Sequence, residues 1–183
     1  MSHTSARQAN LLGSLSLAVA GRVEAAAEAA AGAGGPSAPA ALAALEGYLG
    51  GEPIDALRQV LGLTHSGAVR LVDRLAAAGL VERSPGPDGR SVAVAPTPAG
   101  RRAATEVRAA RERALADTLA VLDPDERAAL TALHEKLLAG LTGDRSSARR
   151  MCRLCDLDAC GHHRGTCPVT EARRARRSPS PAA

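Results

Sequence analysis

The stretch THSGAVRLVDRLAAAGLVER, Thr64–Arg83, decides how the rest of this chain is read. At about 100° per residue, Ala68, Leu71, Val72 and Leu75 fall on one stripe of a helix; Ser66, Arg70, Asp73 and Ala77 fall opposite, with Arg74 at the edge. Thr64 stands where a capping hydroxyl is needed to accept an otherwise orphaned amide. One face packs and the other is free to touch a partner. An ordinary amphipathic surface helix has the same pattern, so the neighbours must decide between the two.

Upstream, PIDALRQVLG (53–62) predicts a short helix with Pro53 in its first turn and Gly62 at its end. Two short helices across a tight glycine turn have helix-turn-helix spacing. Residues 5–31 form a further helix, broken by AGAGGPSAP (31–39), and AALAALEGYL forms a short one that stops at Gly50-Gly51. Downstream, Val81-Glu82-Arg83 is a short strand, SPGPDG a turn, and SVAVA alternates so that Val92 and Val94 share a face. A hairpin directly after a capped amphipathic helix is the layout of a winged helix, in which the helix enters the major groove and Arg90 at the hairpin tip reaches phosphate or the minor groove. Thr97 then caps a helix, with Pro98 first in it, that runs to about Leu122. The capping box Asp123-Pro124-Asp125-Glu126 opens another that runs to about Leu141. The stripe Leu130, Leu133, Leu137, Leu138 and Leu141 exceeds what a small winged domain covers, and a second copy of the chain would cover it.

Composition bounds the function. The chain has 183 residues, 45% of them apolar, with no Phe, no Trp and Tyr48 as its one aromatic ring, so the core is aliphatic. From Arg145 onward nine arginines face three carboxylates, a net +6, which leaves −2 on residues 1–144. DNA binding by the body therefore has to use a local patch, and Thr64–Arg90 carries only +1. No stretch approaches the roughly 18 unbroken apolar residues of a membrane span. Arg7 alone is a thin positive region for a secretory peptide, so a cytoplasmic protein with reduced thiols and no membrane association is expected.

The ordered set THSGAVRLVDRLAAAGLVER, DGR in the wing, PTPAGRRA and LDPDERAALTALHEKLL resembles MarR-type winged helix-turn-helix transcriptional regulators over about Ala38–Leu141. The resemblance implies a mainly α fold: a winged helix-turn-helix domain with long N- and C-terminal dimerisation helices, to which this chain adds a cysteine-rich tail. It implies a homodimer on a near-palindromic double-stranded DNA operator, and a repressor. Carried over, Ser66, Arg70 and Arg74 contact DNA from the helix, while Asp88 orients Arg90 in the wing. His65 at the helix start lies near phosphate, and Thr64 and Gly67 complete the expected DNA-binding set. Arg70 is the candidate for base reading, since a bidentate arginine–guanine contact discriminates by about 1–3 kcal/mol. Two positions depart from the family pattern. Pro96 replaces an apolar strand residue and is expected to shorten the wing, and the effector pocket, often aromatic in the family, has only Tyr48 to draw on.

The tail RMCRLCDLDACGHHRGTCPV, Arg150–Val169, lies beyond this resemblance and holds every cysteine: Cys152, Cys155, Cys160 and Cys167. In C-x2-C-x4-C-x6-C a tight turn brings the first two sulfurs to one side, and two more complete a tetrahedral set. A Zn2+ site is the leading reading. An iron–sulfur cluster is the alternative, with Cys167-Pro168 similar to the end of ferredoxin-type runs, and metal-free thiol sensing is a third. His162 or His163 could replace a cysteine, although adjacent histidines at a loop tip are commonly solvated.

The expected division is an N-terminal helix and linker (1–35), the winged domain (36–96), C-terminal dimerisation helices (97–144), the four-cysteine motif (145–169) and a basic tail without structure (170–183). The tail is expected to act by folding against the dimer helices, so that the state of the cysteines modulates DNA affinity. A rival function is a metal-knuckle protein-interaction module on a winged-helix scaffold. No carboxylate pair, nucleophile–base set or thioredoxin-like βαβ context is found, so no enzymatic activity is expected.

Overall fold

The computed structural model describes residues 3–86 and 91–177. Helix α1 (His3–Ala31) lies along α5 (Pro98–Leu119) and buries Ala27 and Ala31 at its C-terminal end. Helix α2 (Ala38–Ala44, APAALAA) is buried along its whole length, which its small side chains permit. A π-helical turn over Leu45–Leu49 continues α2 and turns Leu45 and Leu49 into the core while Tyr48 stays half-buried.

Strand β1 (Glu52–Pro53) leads into α3 (Ile54–Leu61). Pro53, expected as the first helical residue, instead stands before the helix in an extended conformation (ψ 151°) and pairs with Ala93. It can do so because β1 is an edge strand, where a missing N–H leaves no gap in the ladder. Gly62 ends α3 in the left-handed region (φ 68°) with its amide bonded to the Arg58 carbonyl.

Helix α4 (His65–Ala77) buries Ala68, Leu71, Val72 and Leu75, the stripe expected from the sequence. Strands β2 (Val81–Pro85) and β3 (Val92–Pro96) pair antiparallel, Arg83 opposite Val94, in a sheet of order β1-β3-β2. Pro96 does not shorten the wing. It closes the ladder opposite Val81, and its carbonyl accepts from Arg101 Nη1 at 2.8 Å. Of the two valines expected on one face, Val94 is buried and Val92 is exposed, because β3 begins at Val92, on the tip side of the wing, before it reaches the core.

The start of α5 shows why its sequence is T-x-x-G. Thr97 Oγ1 accepts from the Gly100 amide at 3.1 Å and donates to the Gly79 carbonyl at 2.7 Å. Its amide bonds Leu80 O at 3.0 Å. That clasp pulls α5 so close to Leu80 that a Cβ on Gly100 would lie 1.9 Å from the Leu80 carbonyl oxygen. The helix ends at Leu119, short of the expected Leu122. Asp123 and Glu126 then form the reciprocal capping box that opens α6 (Pro124–Leu141).

The main core joins Leu42, Leu45, Leu57, Leu71, Leu75 and Val94. Fully burying each such side chain contributes about 1.5–3 kcal/mol. A second, much smaller cluster forms around Ala148, Cys167 and Val169 in the tail. There, helices α7 (Arg145–Met151) and α8 (Pro168–Arg177) flank the cysteine loops. The stretch expected to lack structure from residue 170 is thus helical as far as Arg177, since Val169 and Thr170 are buried and give α8 a face to pack; residues 178–183 lie outside the described residues. Among the described residues, no helix is long and apolar enough to cross a membrane.

Candidate functional site

The exposed face of α4 is assembled from its N-terminus. Thr64 caps the helix, its Oγ1 accepting from the Gly67 amide at 3.1 Å, and Ser66 Oγ lies 3.4 Å from the same oxygen. Gly67 is half-buried behind this cap, while His65, Ser66 and Arg70 are exposed. Two residues of the face are already engaged. Asp73 pairs with Arg83 of β2, tying helix to wing. Arg74 donates from Nε to the Gly34 carbonyl at 3.1 Å and braces the loop between α1 and α2. For Arg70 no hydrogen bond or ion pair is formed among the described residues, so its guanidinium remains available. Asp88 and Arg90 lie outside the described residues.

In the tail, local chemistry sets up each cysteine. Asp144 caps α7 by accepting from the Ser147 amide at 2.8 Å, which together with the Ser146 hydroxyl holds its carboxyl below the usual range. Cys152 follows as the C-cap, and the Cys155 amide bonds the Cys152 carbonyl at 3.0 Å, the tight turn that C-x2-C requires. Asp156 Oδ1 accepts the amides of Asp158 and Ala159 at 2.9 and 2.8 Å, folding the next turn toward Cys160. Gly161 and Gly165, at φ 73° and 72°, close the loop that brings Cys167 back.

All four cysteines line one cavity of about 200 Å³, together with Tyr48, Arg145, Arg149, Arg173, His162 and Thr170. Cys160 Sγ and Cys167 Sγ are 3.4 Å apart, and Cys152 and Cys155 stand at the two ends of one tight turn. Cys155 and Cys167 are shifted toward the thiolate, Cys152 and Cys160 toward the thiol. The hydrogen bond from Cys152, aided by the Arg111 charge, lowers Cys155 to about 6, whereas that bond and burial push Cys152 up. Burial and the Cys167 charge raise Cys160 to about 12. Burial alone would raise Cys167, but hydrogen bonds from the Thr170 hydroxyl and amide lower it.

Among the described residues, no three His, Cys, Asp or Glu side chains are arranged to hold a single ion. His162 is turned to Thr170, Nδ1 to Oγ1 3.0 Å, while His163 is exposed near Asp158.

The cysteine module is fastened to the winged domain directly, not only to the long helices. Tyr48 donates its hydroxyl to the Arg149 carbonyl at 3.2 Å, with the Arg149 guanidinium carbon 5.6 Å from the ring centroid. Burial, with the Cys152 charge, raises the Tyr48 pKa to about 12 and keeps it a donor. Leu154 packs on the main core, α7 packs on α3, and α8 packs on α6. Arg150 covers the turn between α3 and α4, its Nη1 3.2 Å from where a Cβ on Gly62 would stand. Arg111, Arg149 and Arg150 are thus parts of the site that sequence patterns did not single out, and Tyr48, noted there only as a possible effector contact, belongs to it as well. The one signal was Tyr48, the sole aromatic ring.

A capped recognition-type helix, a two-stranded wing and flanking long helices define a winged helix-turn-helix protein. The family model "MarR family" matches residues 36–91. A MarR-family transcriptional regulator from Silicibacter pomeroyi is 30% identical over 72% of this chain and 90% of its own, with a TM-score of 0.55. A "probable transcriptional regulator" from Pseudomonas aeruginosa is 32% identical over 69% of this chain and 96% of its own, TM-score 0.52. The YusO protein from Bacillus subtilis, 21% identical over 75% of this chain and 97% of its own, shares the fold at a TM-score of 0.61. No curated protein matches the sequence. The chain belongs to the MarR family of transcriptional regulators.

Proposed function

We propose that this MarR-family regulator is a homodimeric repressor whose affinity for a near-palindromic operator is set by the occupancy of its four-cysteine module. Thr64, His65, Ser66, Gly67 and Arg70 present the N-terminal half of α4 to the major groove, with Arg70 reading a base. Arg74 acts chiefly through the loop it braces, and Asp88 and Arg90 extend the contact from the wing. The second copy covers Leu11, Leu12 and Leu15 of α1 with Leu133, Leu137 and Leu141 of α6, all about half exposed or more in the single chain.

The observation that carries the regulatory part is the double attachment of the module, through α7 to α3 and through α8 to α6. A change of ligation between those helices shifts the helix-turn-helix against the dimer helices. Couplings of this kind amount to about 1–3 kcal/mol. Zinc or an iron–sulfur cluster bound by Cys152, Cys155, Cys160 and Cys167 would supply the effect.

Gel-shift of the full chain against its own promoter region and against random DNA tests sequence preference; a scaffold with no DNA role would show none. Repeating it with a Cys152→Ser, Cys155→Ser chain under metal-loaded, metal-free and oxidising conditions tests the coupling. Affinity identical to that of the unaltered chain in all three would sink the regulatory role.

A further inference from the structure

All four sulfurs of the tail line one cavity, with Cys160 and Cys167 in contact and Cys152 and Cys155 joined by one tight turn. A tetrahedral metal with bonds of about 2.3 Å holds two thiolates about 3.8 Å apart. The Cys160–Cys167 separation of 3.4 Å is a few tenths short of that, as suits two thiols hydrogen-bonded before a metal parts them. Cys152 and Cys155 lie three residues apart across a tight turn, the Cys155 amide bonded to the Cys152 carbonyl at 3.0 Å, which places both sulfurs on the cavity as the second candidate pair. A single zinc ion requires all four sulfurs to converge on one point, yet among the described residues no three donors do so. A four-iron cubane gives each cysteine an iron of its own, so no two sulfurs share a metal. In a two-iron cluster two cysteines meet at each iron, and two bridging sulfides fill the space between the pairs.

We infer that the cavity takes a two-iron, two-sulfide cluster, with Cys152 and Cys155 on one iron and Cys160 and Cys167 on the other. This rests on the reading of the module as the regulatory metal site and names its occupant. The cavity, about 200 Å³, has room for a polynuclear group. Its charge environment suits an anion: Arg145, Arg149 and Arg173 line it, no carboxylate does among the described residues, and the Arg111 charge acts on Cys155 and Cys160. Two ferric ions, two sulfides and four thiolates form a dianion, and its assembly from four thiols releases four protons with no net electron transfer.

The test uses the full chain, purified without metal, shown to be folded by circular dichroism, and incubated anaerobically with ferric iron and sulfide. Two irons and two acid-labile sulfides per chain are expected, with visible charge-transfer absorption and a paramagnetic signal after one-electron reduction by dithionite. A folded Cys167→Ser chain is expected to lose that absorption. Four irons per chain, a single iron without sulfide, one tightly held zinc that blocks cluster assembly, or a folded chain that binds nothing and forms two disulfides would each overturn the inference. Operator binding separates this from the broader proposal. A cluster that forms without changing affinity leaves the assignment standing and removes the regulatory role; zinc-dependent affinity with no cluster does the reverse.

Discussion

In the winged lobe Leu42, Leu45, Leu57, Leu71 and Leu75 are each 2% exposed or less, whereas among the described residues around the cysteines only Ala148, Cys167 and Val169 are buried and apolar. The lobe contains enough aliphatic surface to hold itself together. The module has caps, turns and paired thiols but little core, the condition in which small units depend on a metal or other crosslink. The two regions therefore differ in what their order can draw on: the lobe on burial, the module on its caps, its turns and its contacts with α3 and α6.

The strongest test of that contrast is to remove core from both. Leu42→Ala is expected to cost about 2–5 kcal/mol in urea unfolding, because cavity formation adds to lost transfer energy, while Val169→Ala shifts the same transition far less. Equal shifts would show that the module shares the lobe's core. Next in size is Gly100→Ala, where a Cβ would be forced against the Leu80 carbonyl. About 1–3 kcal/mol of destabilisation is expected from such overpacking, and an unchanged thermal midpoint would mean that the Thr97 clasp does not hold α5 to the wing.

Within the lobe, Arg70→Ala is expected to weaken operator binding by about 1–3 kcal/mol, measured by fluorescence anisotropy, and Arg74→Ala by less, because its Nε is engaged by the Gly34 carbonyl. The reverse order would reassign base reading. At the boundary between the regions, Tyr48→Phe removes the hydrogen bond to Arg149 and is expected to cost about 0.5–1.5 kcal/mol. In hydrogen exchange the lost protection should concentrate in α7 and spare α4. The smallest effect is kinetic. In metal-free protein Cys155, lowered to about 6 by Cys152 and Arg111, is a thiolate at neutral pH and should be alkylated first by iodoacetamide. Its rate should fall as the pH drops through about 6, and preferential labelling of Cys152 would contradict the pairing.

Several features of the lobe were legible because they are local. The caps at Thr64, Thr97 and Asp123 and the stripe on α4 depend on residues within a turn or two of each other. Pro53 misled because one residue suits both a first helical turn and an edge strand, and only pairing with β3 chooses between them. Helix α8 was missed because four arginines in ten residues read as a basic tail, although Val169, Ala172 and Ala175 recur at helical spacing and the burial of Val169 and Thr170 gives them a face to pack.

By itself the sequence determined the winged topology, through capped helices and an alternating hairpin, and the gathering of four cysteines in the tail, through their spacing. The tertiary structure decided which arginine is left for a partner, since Arg74 finds Gly34 forty residues away and Arg70 finds none among the described residues. It also set the module between α3 and α6 and brought Cys160 against Cys167. Those outcomes depend on side chains meeting across long stretches of chain, and neither periodicity nor spacing along one segment encodes such meetings.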